Sequence, residues 1–191
     1  TAKNEGGTER FIFTLTDKDG LQATRSLNVT TNGLEVRTGN FNHIAGKCRG
    51  AFDLIGVAEI ASSGSETVKD LKNTDQAGAT FTGSWTAGTN NGTLFREALG
   101  TFNYGAATEA SIETAYNAAT IPGVNPAPSA TVTNPSAGDV YLVKLRGTNR
   151  FAAIQITTVN ASQANCDNTT SPNNPGEITF EYKIPGDVVQ N

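Results

Sequence analysis

Gly138-Asp-Val-Tyr-Leu-Val-Lys-Leu-Arg-Gly-Thr-Asn-Arg-Phe-Ala-Ala-Ile-Gln-Ile-Thr-Thr-Val159 decides the fold class. Two runs rich in β-branched and aromatic residues, Val140 to Leu145 and Phe151 to Val159, flank Gly147-Thr148-Asn149. That pattern predicts a hairpin whose short turn Gly and Asn enter at positive φ. A third run, Glu177 to Lys183, alternates strictly. Ile178, Phe180 and Tyr182 share one face; Glu177, Thr179, Glu181 and Lys183 share the other. Together these runs predict a C-terminal antiparallel meander in a mostly β domain, an antiparallel sandwich or meander with one short helix.

Composition agrees. Thr is the commonest residue, and Asn and Gly are abundant, which suits half-buried strands joined by turns. A chain of 191 residues that is 37% hydrophobic can bury a core. Its net charge of −4 and the lack of any Lys/Arg cluster denser than Lys47 and Arg49 argue against nucleic acid as a partner. No apolar run approaches the ~20 residues that span a bilayer, so no transmembrane segment is expected. The chain holds no Met, which is expected of a processed product or an excised fragment; on a Thr/Asn-rich β-chain this suggests export. An extracellular or cell-surface location follows as the expectation.

Upstream of the meander, Arg10-Phe-Ile-Phe-Thr-Leu-Thr16 alternates with Phe11, Phe13 and Leu15 on one face. Asp17-Lys18-Asp19-Gly20 makes a turn. Leu21, Ala23, Leu27 and Val29 return on a second strand, interrupted by Arg25. Residues 1–32 therefore read as an N-terminal β-hairpin arm. An isolated two-stranded hairpin is marginal in water, so its apolar face is expected to be covered. The cover is the chain's own body, a neighbouring subunit reached by β-augmentation, or an upstream module. Residues 33–50 read as a connector in which Phe41 and Ile44 are anchors. Residues 51–184 read as the main domain and 185–191 as a tail.

Within the main domain, Phe52, Leu54, Val57 and Ile60 are core candidates, and Lys69 to Gly78 reads as a polar loop. Thr80 to Thr86 reads as a strand with the only Trp, and Thr93 to Ala98 as the strand that follows a turn at Thr89-Asn-Asn-Gly. Thr101 to Tyr104 is a further short β-like run. Ala107 to Ala119 has the helical spacing Ile112, Ala115, Tyr116, Ala119, with Thr108 as cap and Pro122-Gly123 as stop. Pro122 to Pro135 carries four Pro and is expected to be irregular. The expected core comprises Phe52, Leu54, Trp85, Val140, Leu142, Ile154, Ile156, Ile178 and Phe180.

Residues 9–31 resemble the last two strands of a PKD-type or immunoglobulin-like module. In such modules a strand, a short Asp/Gly turn and a final strand lead into the next domain. The order Phe52-Asp-Leu, Phe81-Thr-Gly-Ser-Trp85, Asn91-Gly-Thr-Leu-Phe95, helix, Gly138-Asp-Val-Tyr-Leu-Val-Lys and Gly176-Glu-Ile-Thr-Phe-Glu-Tyr-Lys183 resembles β-rich surface proteins exported by Bacteroidetes-type bacteria, relatives of the HmuY-like haem scavengers among them. That resemblance implies an exported or lipid-anchored β-protein. Haem in that family is held by a pair of axial side chains, commonly His, and this chain has one His.

The candidate chemistry is thin. His43 is the only histidine and no Gly-X-Ser-X-Gly elbow occurs, so no catalytic site is expected. Zinc at His43 and Cys48 would need two more ligands; solvated His is the expectation. Asp17 and Asp19 are candidate calcium ligands, although the rest of an EF-type loop is absent. Trp85, Phe95 and Tyr104, with Phe102, are candidates for an aromatic platform under sugar rings. Glu109 and Glu113 read as a solvated helix face. Cys48 and Cys166 are expected to pair, as two cysteines of an exported chain most often do. Four Asn-X-Ser/Thr triplets, at Asn28, Asn91, Asn160 and Asn168, are about what composition gives by chance.

Two function classes follow. The first is a non-enzymatic extracellular structural or adhesive protein that assembles into oligomers or fibres through Phe11, Phe13, Leu15, Leu27 and Val29 of its arm. The alternative is an extracellular protein that binds a glycan, haem or another small molecule.

Overall fold

The computed structural model describes residues 7–31, 34–46, 48–100, 102–123, 125–162 and 175–186. Twelve strands and one α-helix are placed among them. β1 (Gly7–Thr16) and β2 (Gln22–Thr31) form a separate two-stranded antiparallel sheet. The rest is a sandwich of two five-stranded sheets.

The first sheet is built on the predicted meander. β10 (Val140–Lys144), β11 (Phe151–Asn160) and β12 (Glu177–Pro185) pair antiparallel in sequence. β8 (Leu94–Glu97) adds outside β10, and β3 (Leu34–Asn42) outside β12, giving the order β3-β12-β11-β10-β8. The stretch read as a connector over 33–50 is thus largely an edge strand, held by nine register pairs from Leu34↔Pro185 to Asn42↔Glu177. Polar residues and Gly39 dilute its β pattern. Gly39 has its own reason: a Cβ there would sit 2.6 Å from the Phe180 ring and 2.8 Å from Phe52.

The second sheet is made of short strands: β4 (Ala51–Asp53), β5 (Ala58–Ile60), β6 (Leu71–Asn73), β7 (Trp85–Thr86) and β9 (Thr131–Val132), in the order β5-β4-β6-β7-β9. Three expectations are corrected here. The polar loop over 69–78 contains β6, the strand over 80–86 shortens to β7, and the Pro-rich stretch contains β9. Val57 is no core residue, since it turns the β4–β5 hairpin at φ 52° and is exposed. The described part of 101–104 is not strand. The central turn also differs. Arg146 (φ 49°) and Gly147 (φ 66°) take the positive angles, and Asn149 does not.

Alternation explains the core. Tyr141, Val143 and Leu145 of the β10 segment, Ala152, Ile154 and Ile156 of β11, and Ile178, Phe180, Tyr182 and Ile184 of β12 point into the sandwich. There they meet Phe41, Phe52, Leu54, Leu71, Phe81, Trp85 and Phe95. Leu142, Phe151 and Ala153 point the other way, onto α1 (Glu109–Asn117) through Ile112 and Tyr116. β10 and the first half of β11 are buried on both faces, which is why they read as near-continuous apolar runs. Of the expected core residues only Val140 is half-buried.

α1 starts at Thr108, whose side chain accepts from the Ser111 amide while Ser111 reaches back to the Thr108 amide, a capping box. Its other end is held by Arg96, buried on β8, which donates to the Tyr116 carbonyl, to Ala118 O at 2.6 Å and to Pro126 O at 2.7 Å. A cation among the last carbonyls of a helix satisfies acceptors that have no intrahelical donor.

Candidate functional site: a two-faced β-arm

The arm is ten register pairs long, from Gly7↔Thr31 to Thr16↔Gln22, about 34 Å at the usual rise per residue. Asp17 closes it. Its Oδ1 accepts the Asp19 and Leu21 amides at 2.9 Å each, its own amide donates to Leu21 O, and Gly20 takes φ 80°. Lys18 lies 3.0 Å from the Asp19 carboxylate. The two candidate calcium ligands therefore build a turn and meet a lysine. No group of three His, Cys, Asp or Glu side chains among the described residues could hold a metal ion.

The register sorts the arm into two faces. One carries the rows Glu9/Val29, Phe11/Leu27, Phe13/Arg25 and Leu15/Ala23. The other carries Arg10/Asn28, Ile12/Ser26 and Thr14/Thr24, where Arg10 reaches the Ser26 hydroxyl. The apolar face is open: Phe13 is 57% exposed, Leu15 74% and Leu27 49%, while Phe11 and Val29 are half-buried. Of the three covers considered, the chain's own body does not supply one for Phe13, Leu15 and Leu27.

The aromatic platform does not exist. Trp85 is 0% exposed, Phe95 2% and Tyr104 7%. Trp85 packs edge-on against Phe41, Phe95 and Tyr141 inside the sandwich. Tyr104 belongs to the separate cluster under α1. Burial pushes the Tyr104 hydroxyl well above its ordinary pKa, and the Glu181 charge adds to the shift. These aromatics of the main domain went to the core.

His43 is not solvated. It is fully buried beside Phe81, with Nδ1 accepting the Ala45 amide at 3.2 Å and Nε2 without a partner among the described residues. Cys48 is buried, and no cysteine among the described residues is free. Cys166 and Asn168 lie outside the described residues, as do 187–191 of the tail; Pro185 belongs to β12. On α1, burial raises the Glu109 carboxyl above its ordinary pKa and the neighbouring Glu113 adds to it, as carboxylates one turn apart should.

The strongest electrostatic feature was not anticipated from sequence. Asp70, 0% exposed, accepts from Leu54 N, Asn91 Nδ2 and Thr93 Oγ1, and from the Nε (3.0 Å) and an Nη (2.8 Å) of Arg146. The same guanidinium reaches Asp53 at 2.6 Å and Val68 O at 3.2 Å. Burial works against the Arg146 charge, yet its bonds to Asp70 and the charges of Asp70 and Asp53 more than offset this and raise its pKa. Beside it, the buried Lys69 donates to Glu66 at 2.6 Å and to Ser62 O at 2.7 Å. Hydrogen bonding from Lys69, and then Lys72, holds the Glu66 carboxyl down at about 2. Each of these charged side chains is bonded to partners within the chain, and the cluster pins strands together.

One open cleft of about 470 Å³ lies where β8 and β10 leave the sheet, lined by Glu97, Phe102, Asn103, Asp139 and Gln155 among others. No helix among the described residues is long and apolar enough to cross a membrane. No family model matches the chain, and neither a curated protein nor a solved structure matches it.

Proposed function

We propose that this is a non-enzymatic extracellular or cell-surface structural protein, adhesive in character, that assembles into oligomers through its N-terminal arm. One observation carries the reading: a preformed hairpin presents Phe13, Leu15 and Leu27 to water on one continuous face. Monomeric proteins blunt or cover such faces and edges, and an uncovered one marks a contact site. The resemblance to exported β-rich surface proteins, and of the arm to the end of an immunoglobulin-like module, points the same way. The reading includes the expectation that Cys48 and Cys166 are bonded to each other. With 118 sequence steps between its ends, that disulfide would contribute roughly 4–5 kcal/mol by chain entropy.

Deleting residues 1–31 tests the proposal. The truncated chain keeps its sandwich by circular dichroism and loses the oligomers that the full chain forms. A full chain that stays monomeric at high concentration overturns it. Titration of the unfolded, unreduced chain should find no thiol; two thiols per chain would sink the disulfide.

The alternative reading, ligand binding, is favoured by the cleft at Glu97 and Asp139. Amides, carboxylates and the half-buried Phe102 ring are the groups that recognise sugar hydroxyls and ring faces. Glycan-array binding that is lost in Asp139→Ala and kept after arm deletion would establish it in place of assembly.

A further inference from the structure

Resting on the assembly reading, we propose that the arm's occupant is a second copy of this chain, docked face to face about a two-fold axis through the Phe11/Leu27 row. The apolar face carries two charges, Glu9 and Arg25, and the register places them one row to either side of Phe11/Leu27. Among the described residues, neither makes an ion pair, and neither side chain is in a hydrogen bond. Nothing in the chain itself explains why a Glu and an Arg stand in a stripe of Phe, Leu and Val.

A two-fold axis lying between two such faces, across the strands at the Phe11/Leu27 row, explains both. It sets the Phe11/Leu27 rows against each other. It also sets each Glu9/Val29 row against the other copy's Phe13/Arg25 row; β1 then lies over β1, so Glu9 faces the copy's Phe13 with the copy's Arg25 one strand spacing to the side, and the two diagonal Glu9–Arg25 pairs are equivalent. The face is then complementary to itself, the condition for an isologous contact, and assembly closes at two copies instead of running on as a fibre. The alternative centre, between the second and third rows, would bury more apolar surface but set each charge against a row that holds no opposite charge. Four rows on two strands give a face of roughly 20 Å by 10 Å. This is small beside the ~800 Å² per partner of a standard stable interface, so the pairing is weak in solution and depends on concentration.

Charge swapping tests the geometry in the full-length chain. Glu9→Arg alone and Arg25→Glu alone each set like charges together twice per dimer, and each should weaken self-association by about tenfold or more. Mixed, the two variants should form a heterodimer. The substituted position 9 of one then meets the substituted position 25 of the other with opposite charges, and the unchanged Arg25 of the first meets the unchanged Glu9 of the second. The double variant should recover the parent's self-association. Sedimentation over a range of concentrations reads every sample, and circular dichroism checks that each is folded. Singles that associate like the parent, or a mixture that does not cross-associate, overturn the face-to-face pairing while leaving arm-driven assembly standing. A parent chain that is monomeric throughout removes both.

Discussion

Replacing Arg146 with Met leaves Asp70 as a fully buried carboxylate without its counter-charge. The guanidinium supplies two bonds to Asp70, one to Asp53 and one to Val68 O. Asp70 keeps the Leu54 amide, Asn91 and Thr93. Removing one partner of a buried pair costs about 3–5 kcal/mol, most of it the uncompensated charge left behind. The Arg146 side chain is 22% exposed, so water can replace part of what is lost, and the expectation falls at the lower end, about 3 kcal/mol. Backbone strain does not confuse the comparison, because Arg146 and Met share the positive φ of 49° on equal terms. The assay is urea unfolding at neutral pH, followed by the fluorescence of Trp85, with the slope unchanged and the midpoint moved. Asp70→Asn and the double variant complete a cycle, in which the double should cost less than the two singles summed. A loss below about 1 kcal/mol for Arg146→Met, or simple additivity, would refute the view that this ion cluster pins β4, β6 and the β10–β11 turn together.

Ile154→Ala, at a site with 0% exposure, should cost about 2–5 kcal/mol, whereas Phe13→Ala, at 57%, should change monomer stability by no more than about 0.5 kcal/mol. Comparable losses would show that the arm is part of the core. All four tyrosines are raised above their ordinary pKa of 10.0, chiefly by burial. This favours the neutral phenol in the folded state, and the stability it gives is full below 10.0 and lost as pH rises through the raised values. Tyrosinate absorbance should therefore stay low in the native protein somewhat above pH ~10 and appear on adding denaturant; a native titration centred at about 10 contradicts the burial. Amide exchange should be fast along β1 and β2 in dilute protein and slow as concentration rises, while β10 to β12 stay protected throughout.

Periodicity made the meander and the arm readable before any coordinates. Ile178, Phe180 and Tyr182 could face only one way, and the Asp17-to-Gly20 turn fixed the arm's register. The Thr108 cap likewise marked the start of α1. What could not be read was burial decided by distant partners. Lys69 and Asp70 sit in a polar run and look solvated, yet Asp53 and Arg146, which complete their cluster, are 93 residues apart. His43 looked like a connector residue because β3 exists only through its pairing with β12. β7 and β9 are two residues each and have no pattern of their own; they are strands because a neighbour makes them so. Trp85, Phe95 and Tyr104 show the same limit from the other side, since an aromatic in a β-run fits a surface platform and a core equally well.

The distribution of polar groups separates the body from the arm. In the sandwich, charges that leave water do so in pairs or against carbonyls: Asp70 with Arg146, Lys69 with Glu66, Arg96 with the end of α1. Asp70 with Arg146, and Arg96 with the end of α1, each close a junction between segments distant in sequence, whereas Lys69 with Glu66 is a local pair. On the arm the arrangement is reversed. Its contacts are local and cross-strand, its apolar side chains are in water, and its Glu9 and Arg25 are set among them with no partner among the described residues. A hairpin of this kind gains little from burying its own face, since both strands present the same side outward. A second surface would stabilise it, and under the proposed two-fold pairing that surface is the same face of another copy.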